Sequence, residues 1–452
     1  MNCKRIFARA LFYLRSKSDK TIAQGVFRMR NRKISLIMLI LVLSVVTYAN
    51  TSLTAKELAV QATSGNSNEA EIAVKELREL GEKGLESLFE NYAVEIETFK
   101  KTGIADEKWQ RIAHALDTVA MQKDVYASKL FWHKDLQKAQ AEAQRTNKPI
   151  LSLRLLGNLN EEFSCANSRF FRAILYPNAQ ISNYLQSNYV LHWQSVRPAP
   201  KVTIDFGDGR KIERTITGNS IHYVLNEKGE VIDALSGLNS PQIFLEFLQT
   251  AQSLAKSGTN PNMFRGNKHR VLLSQMNRIG QQLKLNFDNS RKPIRNFEEM
   301  PPAVTSMSIA VTKMVVEMPV LKDITADMTK YGEEQINLEN WKQFAKIARK
   351  DAKLDEKSIA FIRRQNVKNN LSAQEFSSMI SKLEEFISID TARNEFLLRP
   401  TLLVWLAKDE GKDLTKFNEK IYSQLFLTPS ADKWLGLYAP DIYTALDGNG
   451  VK

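Results

Sequence analysis

The middle of the chain alternates between short apolar runs and amphipathic helical stretches. Apolar, aromatic and β-branched residues dominate residues 149–156 and 189–196, and both runs have the length and composition of buried strands. Turn residues divide 201–216 and 220–235 into two hairpins. One helix precedes the first strand, another follows it, and a last one begins at Ser240, which a proline follows. The order of helix, strand, helix, strand, hairpin and helix predicts a mixed sheet with helices on both faces.

The segment before this α/β region carries a helical period instead. Within residues 54–130, apolar residues recur three and four positions apart, as at Ala73, Leu77 and Leu80. Gly81 is suited to the end of that helix, because glycine adopts the left-handed conformation without strain. The pattern predicts helices throughout this segment.

The segment after the α/β region is also predicted to be helical. A polar linker at 257–262 leads into it, and a helix is predicted over 270–285. Ser372 and Glu375 have the spacing of a capping box ahead of an apolar stripe. The charged run 390–395 reads as a helix start with surface charges.

The formal net charge of +13 is concentrated at one end of the chain. Residues 1–33 contain ten Lys and Arg residues and a single acid, Asp19, so this segment carries +9 and the rest of the chain +4. So small a charge over so long a remainder does not indicate a phosphate-binding face. We therefore predict no nucleic-acid partner.

A thirteen-residue apolar run, 34–46, follows the basic head, and Thr47 and Ala49 provide small residues for a cleavage site. The run is shorter than the roughly twenty residues that span a bilayer. It predicts a secretory signal and hence a periplasmic or secreted protein. The alternative is an uncleaved membrane anchor that places the rest of the chain outside the cytoplasm. Translation from Met29 rather than Met1 would give the signal an ordinary basic start.

These patterns divide the chain into four parts. They are a basic head plus signal peptide or membrane anchor (1–49), a helical region (50–130), an α/β domain (131–257) and a helical C-terminal region (258–452).

Only two cysteines occur, Cys3 and Cys165, and removal of the signal leaves one. Cys165 lies in the stretch Phe-Ser-Cys-Ala-Asn-Ser-Arg-Phe-Phe, between the first predicted strand and a helix. A thiolate there is stabilised by the helix N-terminus, and Arg169 lies one turn further on. Ser168 stands where a redox pair would have its second cysteine. A single thiol forms mixed disulfides or a sulfenic acid but does not complete a reduction alone. The alternative is a buried, inert thiol.

The segment 132–254, a little over a quarter of the chain, resembles the thioredoxin-like fold family. The resemblance rests on Lys148 and Pro149 before the strand, Cys165 after it, the turn at 226–229 and the closing amphipathic helix. It implies an α/β thioredoxin-like domain, with a mixed sheet and helices on both faces, flanked by N- and C-terminal α-helical regions. The whole chain is similar to exported bacterial proteins with such domains, and the Leu-Arg-Glu-Leu-Gly-Glu-Lys-Gly-Leu phrase is weakly similar to a HEAT-type helical hairpin.

The segment departs from the family's pattern at its site. The Cys-x-x-Cys motif is Cys165-x-x-Ser168, no tryptophan precedes the thiol, and the loop before it is longer. The cis-proline of the family should fall near Ser220, where no proline occurs, and a hairpin is inserted at 197–218. The resemblance therefore carries over the attacking thiol but not the resolving one.

The candidate site follows from this comparison. Cys165, Ser168 and Arg169 are the catalytic candidates, and Ser220 and His222 are the candidates for substrate binding. The histidines of neighbouring predicted strands could approach the thiol, but no further ligand is spaced with them, so we predict neither metal nor cofactor.

Two functions fit the sequence. The first is an exported thioredoxin-like module that binds protein or peptide and uses Cys165 for monothiol exchange, which would make any enzyme activity a thiol-disulfide exchange. The second is a non-catalytic structural or scaffold protein of the cell envelope. They differ in whether Cys165 reacts.

Overall fold

The computed structural model describes residues 53–216, 218–257, 260–284, 338–435 and 445–451. From residue 55 onward these residues belong to one compact unit. The predicted signal or anchor at 34–46 and both candidate start positions lie outside the described residues. No helix within the described ranges is long and apolar enough to cross a membrane.

Within the described residues, five α-helices precede the sheet, as the apolar period predicted. The helix that begins at Ser67 buries Ala73 and Leu77 on one face. Asn66 and Asp106 each cap a helix by accepting a hydrogen bond from a backbone N–H of its first turn. The helices are α1 (Ala55–Gln61), α2 (Ser67–Glu79), α3 (Glu82–Asn91), α4 (Ala93–Thr102) and α5 (Glu107–Ala120).

Seven strands occur in the part of the chain that the structure describes. They are β1 (Trp132–His133), β2 (Ile150–Leu156), β3 (Val190–Arg197), β4 (Lys201–Asp205), β5 (Lys211–Thr215), β6 (Ile221–Leu225) and β7 (Val231–Ser236). Five of them form one sheet in the order β1-β3-β2-β6-β7. The first three strands of this order are parallel, and β6 and β7 are antiparallel, so the sheet is mixed as predicted. The strands β4 and β5 pair only with each other.

Three helices connect strands of the main sheet, and a fourth follows its last strand. They are α6 (Leu136–Thr146), α7 (Ala166–Phe170), α8 (Ala179–Asn188) and α9 (Pro241–Ser257). A π-helical turn, Phe171–Leu175, extends α7. Asn147 ends α6 in the left-handed conformation ahead of Pro149, as the sequence order suggests.

The C-terminal region is helical where it is described. Its helices are α10 (Pro261–Gln282), α11 (Leu338–Ile347), α12 (Glu356–Gln365), α13 (Ala373–Arg393), α14 (Arg399–Ala407) and α15 (Leu414–Lys420). The helix predicted over 270–285 begins earlier, at Pro261, because Asn260 caps it. The capping box of Ser372 and Glu375 is confirmed.

The prediction of surface charges at 390–395 is wrong. Asp390, Arg393 and Glu395 are buried, at the end of α13 and in the π-helical turn Asn394–Leu398. Glu395 forms ion pairs with Lys268 of α10 and with Lys350, which follows α11. The helices α10 and α11 pack around this stretch and bury it. A local sequence pattern does not predict such burial.

The two faces of the sheet are covered by different parts of the chain. The His222 ring packs on Phe171 and on Phe244 of α9, with ring centroids 4.6 and 4.9 Å away. The next residue of β6, Tyr223, points to the other face and contacts Phe417 of α15. The C-terminal region therefore covers part of the sheet itself. One hydrophobic cluster runs through the N-terminal helices, the sheet and the C-terminal helices, so the described parts share a core.

Candidate functional site

Cys165 lies at the junction that the sequence predicted, after β2 and at the N-cap of α7. Its backbone N–H donates to the Leu156 carbonyl at 3.0 Å, which ties the loop to the end of the central strand. The neighbouring Ser164 carbonyl accepts a hydrogen bond from the Thr215 hydroxyl at 3.1 Å. The thiol is fully buried, with 0% of the residue exposed. A reagent in solution therefore has no direct path to the sulfur.

A glycine closes over the thiol. Gly218, just before β6, has φ +112°, a conformation that L-residues with a side chain rarely adopt. A Cβ placed on it would lie 2.7 Å from the Cys165 Cβ, so only glycine fits here. No proline occurs near Ser220, and no cis peptide bond occurs in the described residues. Gly218 lies against Cys165 and begins the loop that leads through Ser220 into β6.

The C-terminal region holds this loop in place. The Tyr422 hydroxyl donates to the Asn219 carbonyl at 2.9 Å. Burial, and secondarily the Cys165 sulfur, raise the pKa of Tyr422 well above its usual value, so this hydroxyl keeps its proton. The Arg197 guanidinium donates to the carbonyls of Thr428 and Asp432 at 2.6 and 3.1 Å. We refer to residues 422–432 as the covering segment.

The Ser168 side chain is hydrogen-bonded to the backbone and not to the thiol. Its hydroxyl donates to the Cys165 carbonyl at 2.8 Å, one turn back, and the residue is fully buried. Arg169 is half-buried on the next position of α7. The hydroxyl of Ser168 therefore serves the backbone of α7 in this structure.

Ser220 and His222 lie in and after the loop that faces the thiol, and they differ in their partners. Ser220 is fully buried, and its hydroxyl has no hydrogen-bond partner among the described residues. His222 Nε2 lies 2.9 Å from the Tyr176 hydroxyl. Burial lowers the pKa of His222 from its usual 6.5 to about 3, so the ring is neutral. Within the described chain, the Cys165 sulfur has no hydrogen bond to His222 or any other group.

The described residues contain no group of three His, Cys, Asp or Glu side chains that could hold a metal ion. Cys165 is a covered thiol that belongs to the hydrophobic core. The Ser164 hydroxyl and the Asn167 side-chain oxygen are buried nearby in the chain without a hydrogen-bond partner.

The sequence reading missed a second polar cluster, on the opposite face of the sheet. Ser152 and Arg154 of β2 point away from the His222 face, because Ser152 pairs with Tyr223 and Leu153 with His222. The Ser152 hydroxyl lies 2.9 Å from His192 Nδ1 of β3. The signal was present in the sequence, since a serine and an arginine interrupt an otherwise apolar strand at a spacing of two.

Comparison with models of protein families, with curated proteins and with solved structures finds nothing that matches this chain. The function therefore has to be argued from the geometry.

Proposed function

We propose that the chain is a thioredoxin-like platform of the cell envelope that binds a protein or peptide partner, and that Cys165 is a structural thiol. The supporting features of the fold are a central strand that leads through Cys165 into a helix and an antiparallel β6–β7 hairpin. The hairpin turns at 226–229 and is followed by the closing helix α9. Proposed export and envelope location rest on the run 34–46, and N-terminal sequencing of the protein isolated from cells tests them.

The burial of Cys165 carries the non-catalytic part of the proposal. The sulfur lies beneath Gly218, and Asn219 beside that glycine is held by Tyr422 of the covering segment. Thiol exchange requires in-line approach of a disulfide to the sulfur. It therefore requires the covering segment and the loop to separate first, and the free energy of that opening adds to the barrier.

The β4–β5 hairpin supports the binding part of the proposal. Ile204 and Ile212 face each other across it, and Phe206 follows two positions on, on the same face. The three residues are 43%, 40% and 51% exposed. An exposed apolar strip on a hairpin that is separate from the main sheet is the kind of surface that contacts another protein.

Alkylation of the native protein by iodoacetamide tests the role of the thiol. We expect Cys165 to react at least about 100-fold more slowly than free glutathione at the same pH, which corresponds to an opening free energy of about 2.7 kcal/mol. Tyr422→Ala should raise the rate, because it removes the ring and the hydrogen bond to Asn219. Tyr184→Phe is the matched control, since it removes a tyrosine hydrogen bond to Gln252 elsewhere and should leave the rate unchanged.

A native Cys165 that reacts as fast as glutathione contradicts the structural role and favours monothiol exchange. Partner binding is judged separately, once a partner is in hand, with Cys165→Ser and with Phe206→Ser. The proposal requires that Phe206→Ser weakens the complex and that Cys165→Ser leaves it intact. The reverse result would identify the thiol as the functional group.

A further inference from the structure

Arg154 is a buried cation that pairs with no anion in the described part of the chain. The residue is 6% exposed, and no carboxylate of the described residues forms an ion pair with it. The ionisable groups that act on the pKa of Arg154 are Tyr223 and Tyr422, both neutral because burial raises their pKa values. A buried guanidinium is costly unless an opposite charge or several acceptors compensate it. The described residues therefore leave the charge of Arg154 without an opposite charge.

The hydrogen bonds of Arg154 leave one edge of the guanidinium unused. Its Nη1 donates to the Ser152 hydroxyl at 2.9 Å and lies 3.4 Å from His192 Nδ1. The donors on the other edge, Nε and Nη2, bond to no group of the described chain. Neither nitrogen is among the fully buried polar atoms without a hydrogen-bond partner. Since neither has a partner, both nitrogens remain accessible to solvent. Nε and Nη2 form the planar fork that matches the two oxygens of a carboxylate.

Where the structure describes them, the surroundings of Arg154 supply no competing anion. His192 is neutral, because burial and then the Arg154 charge lower its pKa to about 3. Lys134 lies near, and burial together with Arg154 lowers its pKa to about 8. Glu161 is the nearby acid that acts on Lys134, and it does not act on Arg154. At neutral pH the cluster therefore holds the positive charge of Arg154 and, beside it, that of Lys134, which is still mostly protonated below pH 8.

The cluster is exposed to solvent on the side of β3, at Gln194. Arg154 pairs with Gln194 across the β2–β3 ladder, so the two side chains share a face, and Gln194 is exposed. On the β6 side, Tyr223 and α15 close the face. A ligand would thus enter over β3, with Gln194 at the mouth and Ser152 behind the guanidinium.

We propose that Arg154, backed by Ser152 and His192 and with Gln194 at the mouth, binds the carboxylate of a small organic acid or of a peptide C-terminus. The planar fork of Nε and Nη2 matches the two oxygens of a planar carboxylate in a bidentate pair. The site lies on the face of the sheet opposite His222. It depends neither on the reactivity of Cys165 nor on the β4–β5 hairpin.

The test uses the whole chain at constant ionic strength, with acetate, inorganic phosphate, N-acetyl-Ala-Ala and its C-terminal amide as probes. Calorimetric titration and the thermal midpoint report binding. Acetate or the free-acid peptide should bind saturably, and Arg154→Lys should weaken that binding about tenfold or more, because it keeps the charge but loses the fork. Arg154→Met should abolish it. Arg145→Met, at an exposed arginine paired with Glu142, is the matched control and should bind as the wild type does.

The relative affinities of the probes distinguish the two kinds of carboxylate ligand. Tighter binding of the free-acid peptide than of acetate, with none of the amide, assigns the site to a chain terminus, whereas equal binding of both acids assigns it to a small acid. The proposal is overturned if no carboxylate binds, if phosphate binds more tightly than either acid, or if Arg154→Lys binds as the wild type does. Since Arg154→Lys retains a cation and most of the side chain, a folding failure of Arg154→Met leaves the test intact.

Discussion

The buried His222 predicts a specific loss of stability in acid. Burial lowers its pKa from 6.5 to about 3, so the native state keeps the ring neutral while the unfolded chain takes up a proton near pH 6.5. The stabilisation is fully present above pH 6.5 and is lost as the pH falls toward 3. The full shift corresponds to about 5 kcal/mol, of which about 2 kcal/mol is lost between pH 8 and pH 5.

His222→Gln isolates this contribution. Glutamine does not titrate and keeps a polar group toward Tyr176. The free energy of unfolding, measured by urea denaturation at pH 8 and pH 5, should fall by about 2 kcal/mol less in the variant than in the wild type. His192 contributes in the same direction in both proteins. Asp117 contributes in the opposite direction, because burial raises its pKa to about 7, and it too cancels in the comparison.

The matched control for this experiment is His114→Gln. His114 is exposed on α5, so its replacement should leave the acid-induced loss of the wild type unchanged. The reasoning is refuted if His222→Gln loses as much stability as the wild type between pH 8 and pH 5. That result would mean that the native state accepts a proton at His222 despite its aromatic surroundings.

Three further predictions concern stability. Asp233→Asn leaves the buried Arg399 without its ion-pair partner and should cost about 3–5 kcal/mol in urea denaturation, and a cost below about 1 kcal/mol contradicts the pairing. Gly218→Ala forces a side chain into a left-handed backbone against Cys165, so its thermal midpoint should fall and its alkylation rate rise; an unchanged midpoint argues against this close approach. Ser372→Ala removes the capping box of α13 and should cost about 1 kcal/mol, whereas Ser372→Asp should keep most of the stability.

The local patterns of the sequence determined most of the elements. Apolar runs of strand length, the turn at 226–229 and the helix-ending pair Asn147 and Pro149 led to strands and helices close to those observed. The capping box at Ser372 did the same for α13. These features are decided by neighbours in the chain, because caps, turns and amphipathic periods involve residues only a few positions apart.

The position of Cys165 between strand and helix followed from the sequence, but its exposure did not. The sulfur is covered by Gly218, more than fifty positions later, and by the segment that contains Tyr422. The buried charges at 390–395 show the same limit, since only the packing of other helices encloses them. Burial sums contributions from distant parts of the chain, and no local period encodes it.

Arg154 shows which features the sequence determines and which features only the tertiary structure determines. The sequence by itself showed an arginine in an apolar strand, and the alternation of a strand placed it on the same face as Ser152. Only the tertiary structure decided that His192 lies beside them and that, among the described residues, no carboxylate does. The reason is physical: the charge on a side chain is a property of its own sequence position, whereas its compensation depends on what the fold brings within a few ångströms.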